Sequence, residues 1–226
     1  MRSWTILCAC CALFVTSRGI AQSLPSDVRT NHWASSAISS VLTNKVMRLP
    51  DGKQFRGDAK VTRTEAIIAI ANLAHALEAQ QWKTKPSIGL AKRADILADQ
   101  MDWKTQPVTR FALARILARA GDYFMNGVRR GAQNSKDRGK SVKLPPRANV
   151  KLPSTHPAFA SLTYLASKNG LWNNSPLLTP DEKSVTGQEV SKALAQMLLG
   201  LNDAVTDMGK EPDGSTPDRP IQKKKG

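Results

Sequence analysis

The chain has 226 residues, of which 33 are Lys or Arg and 18 are Asp or Glu, so its formal net charge is +15. Such an excess of basic residues predicts an anionic partner. The 41% of hydrophobic residues are enough to bury a core in one or two domains. No apolar run reaches the roughly 20 residues of a membrane-spanning helix, so we expect no transmembrane segment.

The first 21 residues have the pattern of a secretory signal peptide. Arg2 precedes an apolar run from Trp4 to Val15, and the small residues Gly19 and Ala21 stand at positions −3 and −1 of a cleavage site. We therefore expect residues 1–21 to be removed from an exported protein of the cell wall, the cell surface or the periplasm. Export makes an anionic envelope polymer the expected partner, and we expect no binding of nucleic acid.

All cysteines of the chain, Cys8, Cys10 and Cys11, fall inside this signal segment. The mature chain then has none for a disulfide, a metal site or a thiol nucleophile. Lipidation at Cys10 is the alternative interpretation of the same segment.

Residues 26–79 predict a helix, a loop and a second helix. The stretch "NHWASSAISSVLTNKV" carries apolar residues at helical spacing, and "LPDGKQFRGDAK" then breaks the pattern at a turn. The second helix is predicted to begin at Thr62. Glu65 follows three residues later, which is a capping box in which each side chain bonds the other residue's backbone N–H.

The Val-Thr start returns in "PVTRFAL" and in "SVTGQEV". Thr186 and Glu189 repeat the capping box, whereas the middle copy keeps only its threonine. Apolar residues recur four and eight residues after each threonine and predict one shared buried face: Ala66, Ile70, Leu113, Leu117, Val190 and Leu194. We therefore divide the chain into helix-loop-helix repeats at 26–79, 87–125 and 154–202, of which the middle one lacks the long loop.

Two segments lack an apolar period. Residues 126–153 are rich in Lys and Arg and predict an exposed basic linker. Residues 203–226 are rich in Pro, Gly and charge, and we expect a disordered tail there.

The order of "SDVRTNHWASSAI", a turn containing "DG", and "VTRTEAI" resembles an S-layer homology domain. The resemblance is carried by residues 26–79, extends to 154–200 with Pro157 in place of the tryptophan and Gly187 in place of the arginine, and keeps only "VTR" and its helix over 87–125. It implies an all-α fold in which the repeats pack as a pseudo-threefold helical bundle. It also implies non-covalent attachment to the cell envelope through an anionic, often pyruvylated, wall polysaccharide.

By position, the resemblance implies Arg63 as the main glycan-binding residue, Arg110 as a second one and Trp33 as the aromatic residue; Thr62 belongs to the same motif. A cation in the first helical turn gains nothing from the helix dipole. Beside free backbone N–H groups, however, an arginine would form a receptor for a carboxylate. The alternatives are a solvated charge for Arg63, helix capping alone for Thr62, and a core or edge position for Trp33.

A protein-interaction module in the envelope or periplasm, with self-association among its forms, is the alternative function. Catalysis is not indicated, because the histidines are scattered and the chain has no HExxH motif, GxSxG motif or glycine-rich phosphate loop. Asp95, Asp99 and Asp102 would share one helical face, which a hydrated helix surface explains. We therefore expect no enzyme, no cofactor and no metal site.

Overall fold

The computed structural model describes residues 24–82, 88–131 and 147–208. Its elements there are α1 (Ser35–Thr43), α2 (Arg63–Trp82), α3 (Leu90–Leu97), α4 (Arg110–Gly131), α5 (Phe159–Ser167), the short 3-10 helix Pro176–Leu178 and α6 (Gly187–Met208). Isolated β-bridges occur, but these three ranges contain no strand, so the all-α prediction is confirmed. None of the described helices has the length and hydropathy that crossing a bilayer requires.

The long helices α2, α4 and α6 contact one another and form the centre of the protein. Helix α1 packs on α6, α3 on α2 and α4, and α5 on α4. The apolar residues predicted to share one face all lie in the main core: Ala66, Ile70, Leu113, Leu117, Val190 and Leu194. A smaller cluster holds Phe55 against Ala34, Ile38 and Leu42, so the loop of the first repeat folds back onto α1.

The three long helices begin as their threonines predict. The backbone N–H of Thr62 donates to Glu65 Oε2 over 2.8 Å, and the N–H of Glu65 donates to the Thr62 hydroxyl over 3.2 Å. Thr186 and Glu189 form the same reciprocal pair. The Thr109 hydroxyl accepts from the N–H of Ala112, and no bond is returned because Ala112 has no carboxylate; the hydroxyl donates instead to Glu182 over 3.4 Å. Each cap is worth about 1 kcal/mol.

Three valines just before these helices are joined in a closed ring of backbone hydrogen bonds. The N–H of Val61 donates to the carbonyl of Val185, the N–H of Val185 to that of Val108, and the N–H of Val108 to that of Val61, over 2.8 to 3.1 Å. All three valines are buried, so these bonds satisfy backbone groups that water cannot reach. The ring brings the starts of α2, α4 and α6 together, and a pseudo-threefold packing of the whole bundle stays a prediction.

Arg93 fastens α3 to its neighbours from inside the protein. Its side chain is fully buried and donates to Glu78 over 2.5 Å, and the hydroxyl of Tyr123 donates to the same carboxylate over 3.2 Å. Burial, together with the charge of Glu78, raises the pKa of Tyr123 above its ordinary value. The pattern of apolar residues gave no sign that a charged side chain holds α3 in place.

Some helix ends differ from the predicted boundaries. Helix α4 continues to Gly131 and α6 to Met208, so the first residues of the predicted linker and tail are helical. The predicted helical face of Asp95, Asp99 and Asp102 is wrong, because α3 ends at Leu97. The signal peptide, residues 132–146 of the linker and residues 209–226 of the tail lie outside the described residues.

Candidate functional site

Each long helix begins against the loop of another repeat, which creates three junctions. At the first junction the start of α2 meets residues 98–107, and at the second the start of α4 meets residues 179–185. At the third, the start of α6 meets residues 51–60. The first helical N–H donates across each junction, from Arg63 to Gln106, from Arg110 to Lys183 and from Gly187 to Ala59, over 3.0 to 3.1 Å.

The first junction contains a chain of ion pairs. The guanidinium of Arg63 lies 3.4 Å from a carboxylate oxygen of Asp102, and Arg119 of α4 lies 3.7 Å from the other oxygen. Arg119 also pairs with Asp99. The Arg63 side chain is 22% exposed and that of Asp102 only 8%, so the acid lies beneath the arginine and leaves part of the guanidinium on the surface.

The backbone N–H groups expected to lie free beside Arg63 are all used. Arg63 N–H donates to Gln106, the N–H and the hydroxyl of Thr64 both reach the carbonyl of Lys104, and Glu65 N–H donates to Thr62. That part of the sequence-based reasoning is wrong, because the neighbouring repeat supplies carbonyls to the start of the helix. A ligand at this junction would meet side chains rather than backbone donors.

Two exposed side chains complete the first junction. Arg115 is exposed and forms no ion pair or hydrogen bond with any described residue. Arg115, together with Asp99, Asp102 and Arg119, lines a hollow of about 10 Å³. This hollow has room for no more than one water. Trp103 directly follows Asp102 and is 43% exposed. Any larger ligand would therefore lie across the surface of this junction.

Arg110 occupies the second junction in a different way. It is only 9% exposed, and its guanidinium pairs with Asp181 and, over 2.6 Å, with Glu189. Burial raises the pKa of Glu189, but the N–H of Thr186 and the Arg110 guanidinium outweigh burial and hold that pKa below its ordinary value. The arginine of the second repeat is thus already held by two carboxylates.

The third junction has a glycine where the other helices have an arginine. A β-carbon on Gly187 would lie 3.4 Å from the carbonyl oxygen of Gly57, so the loop packs directly on the start of α6. Beside this contact lies an open cleft of about 250 Å³ between the first repeat and α6. Its lining includes Asp27, His32 and Gln188.

Trp33 lies next to this cleft. Trp33 is 54% exposed, and its ring centre lies 5.7 Å from that of His32, which lines the cleft. The ammonium group of Lys192 lies 5.5 Å from the centre of the Trp33 ring. Lys192 stands one helical turn after Gln188, so indole, cleft and cation belong to one surface.

The structure therefore distributes the predicted site residues over three places. Thr62 and Arg63 lie at the first junction, with the Thr62 hydroxyl bonded to Glu65, while Arg110 lies at the second and Trp33 at the third. Arg115, Arg119, Gln188 and Lys192 were not predicted. A signal for Arg115 and Arg119 exists in the sequence, because their spacing of four places them on one face of α4.

One comparison with known proteins gives a match. Residues 26–67 match the family model of the S-layer homology domain. No curated protein and no solved structure gives a significant match to the chain. The matched segment contains Trp33, Thr62 and Arg63, and it supplies one side of the first junction and one side of the third.

Proposed function

Because the chain carries an S-layer homology domain at residues 26–67, a family that indicates association with the cell envelope, we propose that it binds an anionic wall polysaccharide non-covalently. The first junction is the binding surface, and Arg63 is the residue that ties it to the matched domain. The same proposal includes export of the chain through its signal peptide. It also includes carboxylate groups on the polysaccharide, such as pyruvyl substituents.

An excess of cationic groups, at a junction whose loop also carries an exposed indole, is the observation that carries this proposal. Among the residues that the structure describes at this junction, Arg63, Arg115 and Arg119 face two carboxylates, Asp99 and Asp102. A guanidinium can bind a carboxylate through two parallel N–H donors, which gives both affinity and orientation. Trp103 in the same loop offers an apolar face on which a sugar ring can stack.

Asp102 sets the limit on affinity at this surface. It holds Arg63 and Arg119 at once, and it also accepts from the N–H of Asp99 over 2.9 Å. An incoming carboxylate must share Arg63 with this buried acid, whereas Arg115 is available without competition. We therefore expect Arg63 and Arg115 to bind the ligand together, with Arg63 contributing less affinity than an unpaired guanidinium would.

Sedimentation with purified wall sacculi tests the proposal. The double variant Arg63→Ala/Arg115→Ala should bind about tenfold more weakly than wild type, because it loses two solvent-exposed charge contacts worth about 0.7 kcal/mol each. Arg48→Ala is the control for charge, since Arg48 is exposed on the loop after α1 and forms no ion pair in the described structure. Its affinity should stay within about twofold, allowing for the general effect of one charge.

Asp102→Asn provides a test in the opposite direction. The amide oxygen can still accept from Asp99, but the negative charge that competes for Arg63 is removed, so binding should become tighter by a few-fold. If wild type remains in the supernatant at low salt, the polysaccharide is not the ligand. If both Asp102→Asn and the double arginine variant bind like wild type, the first junction is not the binding surface.

A protein-interaction module remains the second candidate because of one observation. Five of the six large apolar side chains that are exposed in the described structure lie on α2, on α3 and in the loop that follows: Ile68, Leu90, Ile96, Met101 and Trp103. Exposed apolar groups gathered on one part of a surface are typical of protein contacts. Replacing Met101 and Ile96 by Ser should then reduce capture of an envelope protein while leaving binding to purified polysaccharide unchanged.

A further inference from the structure

The cleft at the third junction differs chemically from the first junction. Its volume of about 250 Å³ corresponds to roughly eight water molecules at liquid density, which is enough for one sugar ring. The cleft is open to solvent. Trp33 lies at its border, because the Trp33 ring is close to that of His32 in the lining and to the ammonium group of Lys192. The surface around Arg63 contains none of the residues that line this cleft.

The polar groups of the cleft are partly fixed by bonds inside the protein. Both carboxylate oxygens of Asp27 accept backbone N–H groups, from Phe55 over 2.8 Å and from Arg56 over 2.7 Å. Gln188 donates one N–H to Asp58 over 2.9 Å and keeps its second N–H and its carbonyl oxygen. An amide that offers a donor and an acceptor together suits hydroxyl or acetamido groups.

His32 adds a donor whose position is set by its own backbone. Its Nδ1 accepts from the N–H of Ala34 over 3.2 Å. The proton of the neutral ring is therefore on Nε2, which can donate to a ligand oxygen. The same arrangement recurs at His156 and Ala158, where the ring packs edge-on against Phe111.

The charges around the cleft disfavour an acidic group. Asp27 and Asp58 line it, and Arg56, the only cationic side chain among the described residues of that lining, already pairs with Asp51 over 3.1 Å. Lys192 at the Trp33 ring offsets one of the two carboxylates of the lining and leaves the other unbalanced. The start of α6 also offers no anion site, because the N–H groups of its first two residues donate to Ala59 and Gly57.

We infer that this cleft binds an uncharged sugar unit, with its hydroxyl or acetamido groups on Gln188 and His32 and its ring against Trp33. The inference rests on the proposed function and adds a second kind of contact to it. The acidic units of a wall polymer lie on the arginines of the first junction, and a neutral unit occupies the third. Binding at the cleft is consequently insensitive to salt, whereas binding at the arginines is not.

Titration of the full chain with N,N′-diacetylchitobiose, followed by tryptophan fluorescence and by calorimetry, tests this inference. The expected dissociation constant is on the order of 1 mM, and it should change by less than about twofold when NaCl is raised. Gln188→Ala should weaken binding about fivefold through the lost hydrogen bonds, and Trp33→Ala about tenfold through the lost ring contact. Gln106→Ala is the matched control, because the Gln106 side chain is exposed and forms no hydrogen bond with the described structure, and it should bind like wild type.

Gly57→Ala gives an independent perturbation without removing a functional group. Its added β-carbon would lie 2.6 Å from Cγ of Gln188, so the Gln188 side chain must shift, and its amide group moves from the position that it holds against Asp58. It should bind the disaccharide as weakly as Gln188→Ala while its circular dichroism spectrum stays that of wild type.

Three outcomes would overturn the inference. They are no binding at millimolar disaccharide, unchanged binding in Gln188→Ala and Trp33→Ala, or tighter and salt-sensitive binding of a uronic acid disaccharide. Sacculus sedimentation of the same proteins separates this failure from failure of the proposed function. If wild type pellets but does not bind the disaccharide, only the cleft assignment fails; if it binds the disaccharide but does not pellet, the wall-binding proposal fails.

Discussion

Replacing Arg110 tests whether its ion pairs at the second junction stabilise the contact between repeats, rather than leaving the guanidinium available to a ligand. Arg110→Ala removes a side chain that is 11% exposed and leaves Asp181 and Glu189 without their cation. Removing one partner of a buried ion pair costs about 3 to 5 kcal/mol. Because Asp181 is 33% exposed and Glu189 18%, water can stabilise the remaining acids in part, and we expect the lower end, about 3 kcal/mol.

For a chain of this length, that loss lowers the melting temperature by roughly 6 to 12 °C. Urea unfolding followed by circular dichroism gives the free energy directly. Arg63→Ala is the comparison, since Asp102 keeps Arg119 and the N–H of Asp99 after the change, and it should cost less than about 1 kcal/mol.

A further substitution isolates the cause. Glu189→Gln in the Arg110→Ala background removes one of the two stranded charges but keeps an oxygen for the Thr186 N–H, so the double variant should be more stable than Arg110→Ala alone. The reasoning is refuted if Arg110→Ala is no less stable than Arg63→Ala.

Two further predictions concern packing and pH. Gly200→Ala should destabilise the protein by about 3 kcal/mol in urea unfolding, because a β-carbon there would lie 2.4 Å from the backbone of Asn169; Gly89→Ala, which has open space, should be nearly neutral. The folded-state pKa values of Asp27 and Glu189 lie below their ordinary 3.8 and 4.5, so the unfolded chain binds more protons in acid. Stability should therefore be full above about pH 5 and fall between about pH 5 and pH 3, and urea midpoints that stay constant over that range would contradict this linkage.

Local patterns predicted the parts of the fold that depend on neighbouring residues. Thr62 with Glu65 and Thr186 with Glu189 are three residues apart, so their caps could be predicted from spacing alone. The buried positions after each threonine follow from helical geometry in the same way.

The ion-pair partners of Arg63 and Arg110 could not be predicted from the sequence. Arg63 meets Asp102, and Arg110 meets Asp181 and Glu189, across contacts that exist only after the repeats have come together. No periodicity distinguishes an arginine that faces solvent from one that is held by a distant acid. The same limit applied to Trp33, whose neighbour Lys192 belongs to the other end of the chain.

The ring of hydrogen bonds among Val61, Val108 and Val185 has a consequence for how the protein folds. In a linear array of repeats, each unit contacts only its neighbours, and folding can spread from any of them. Here the last of these bonds joins the first helix-loop-helix unit to the third, so the ring closes only when nearly the whole chain is in place. Contacts so distant in sequence slow folding, because the entropy of closing a long loop is lost before the contact forms. A chain cut after α4 would leave two of the three ring bonds unmade and should populate no stable unit of its own.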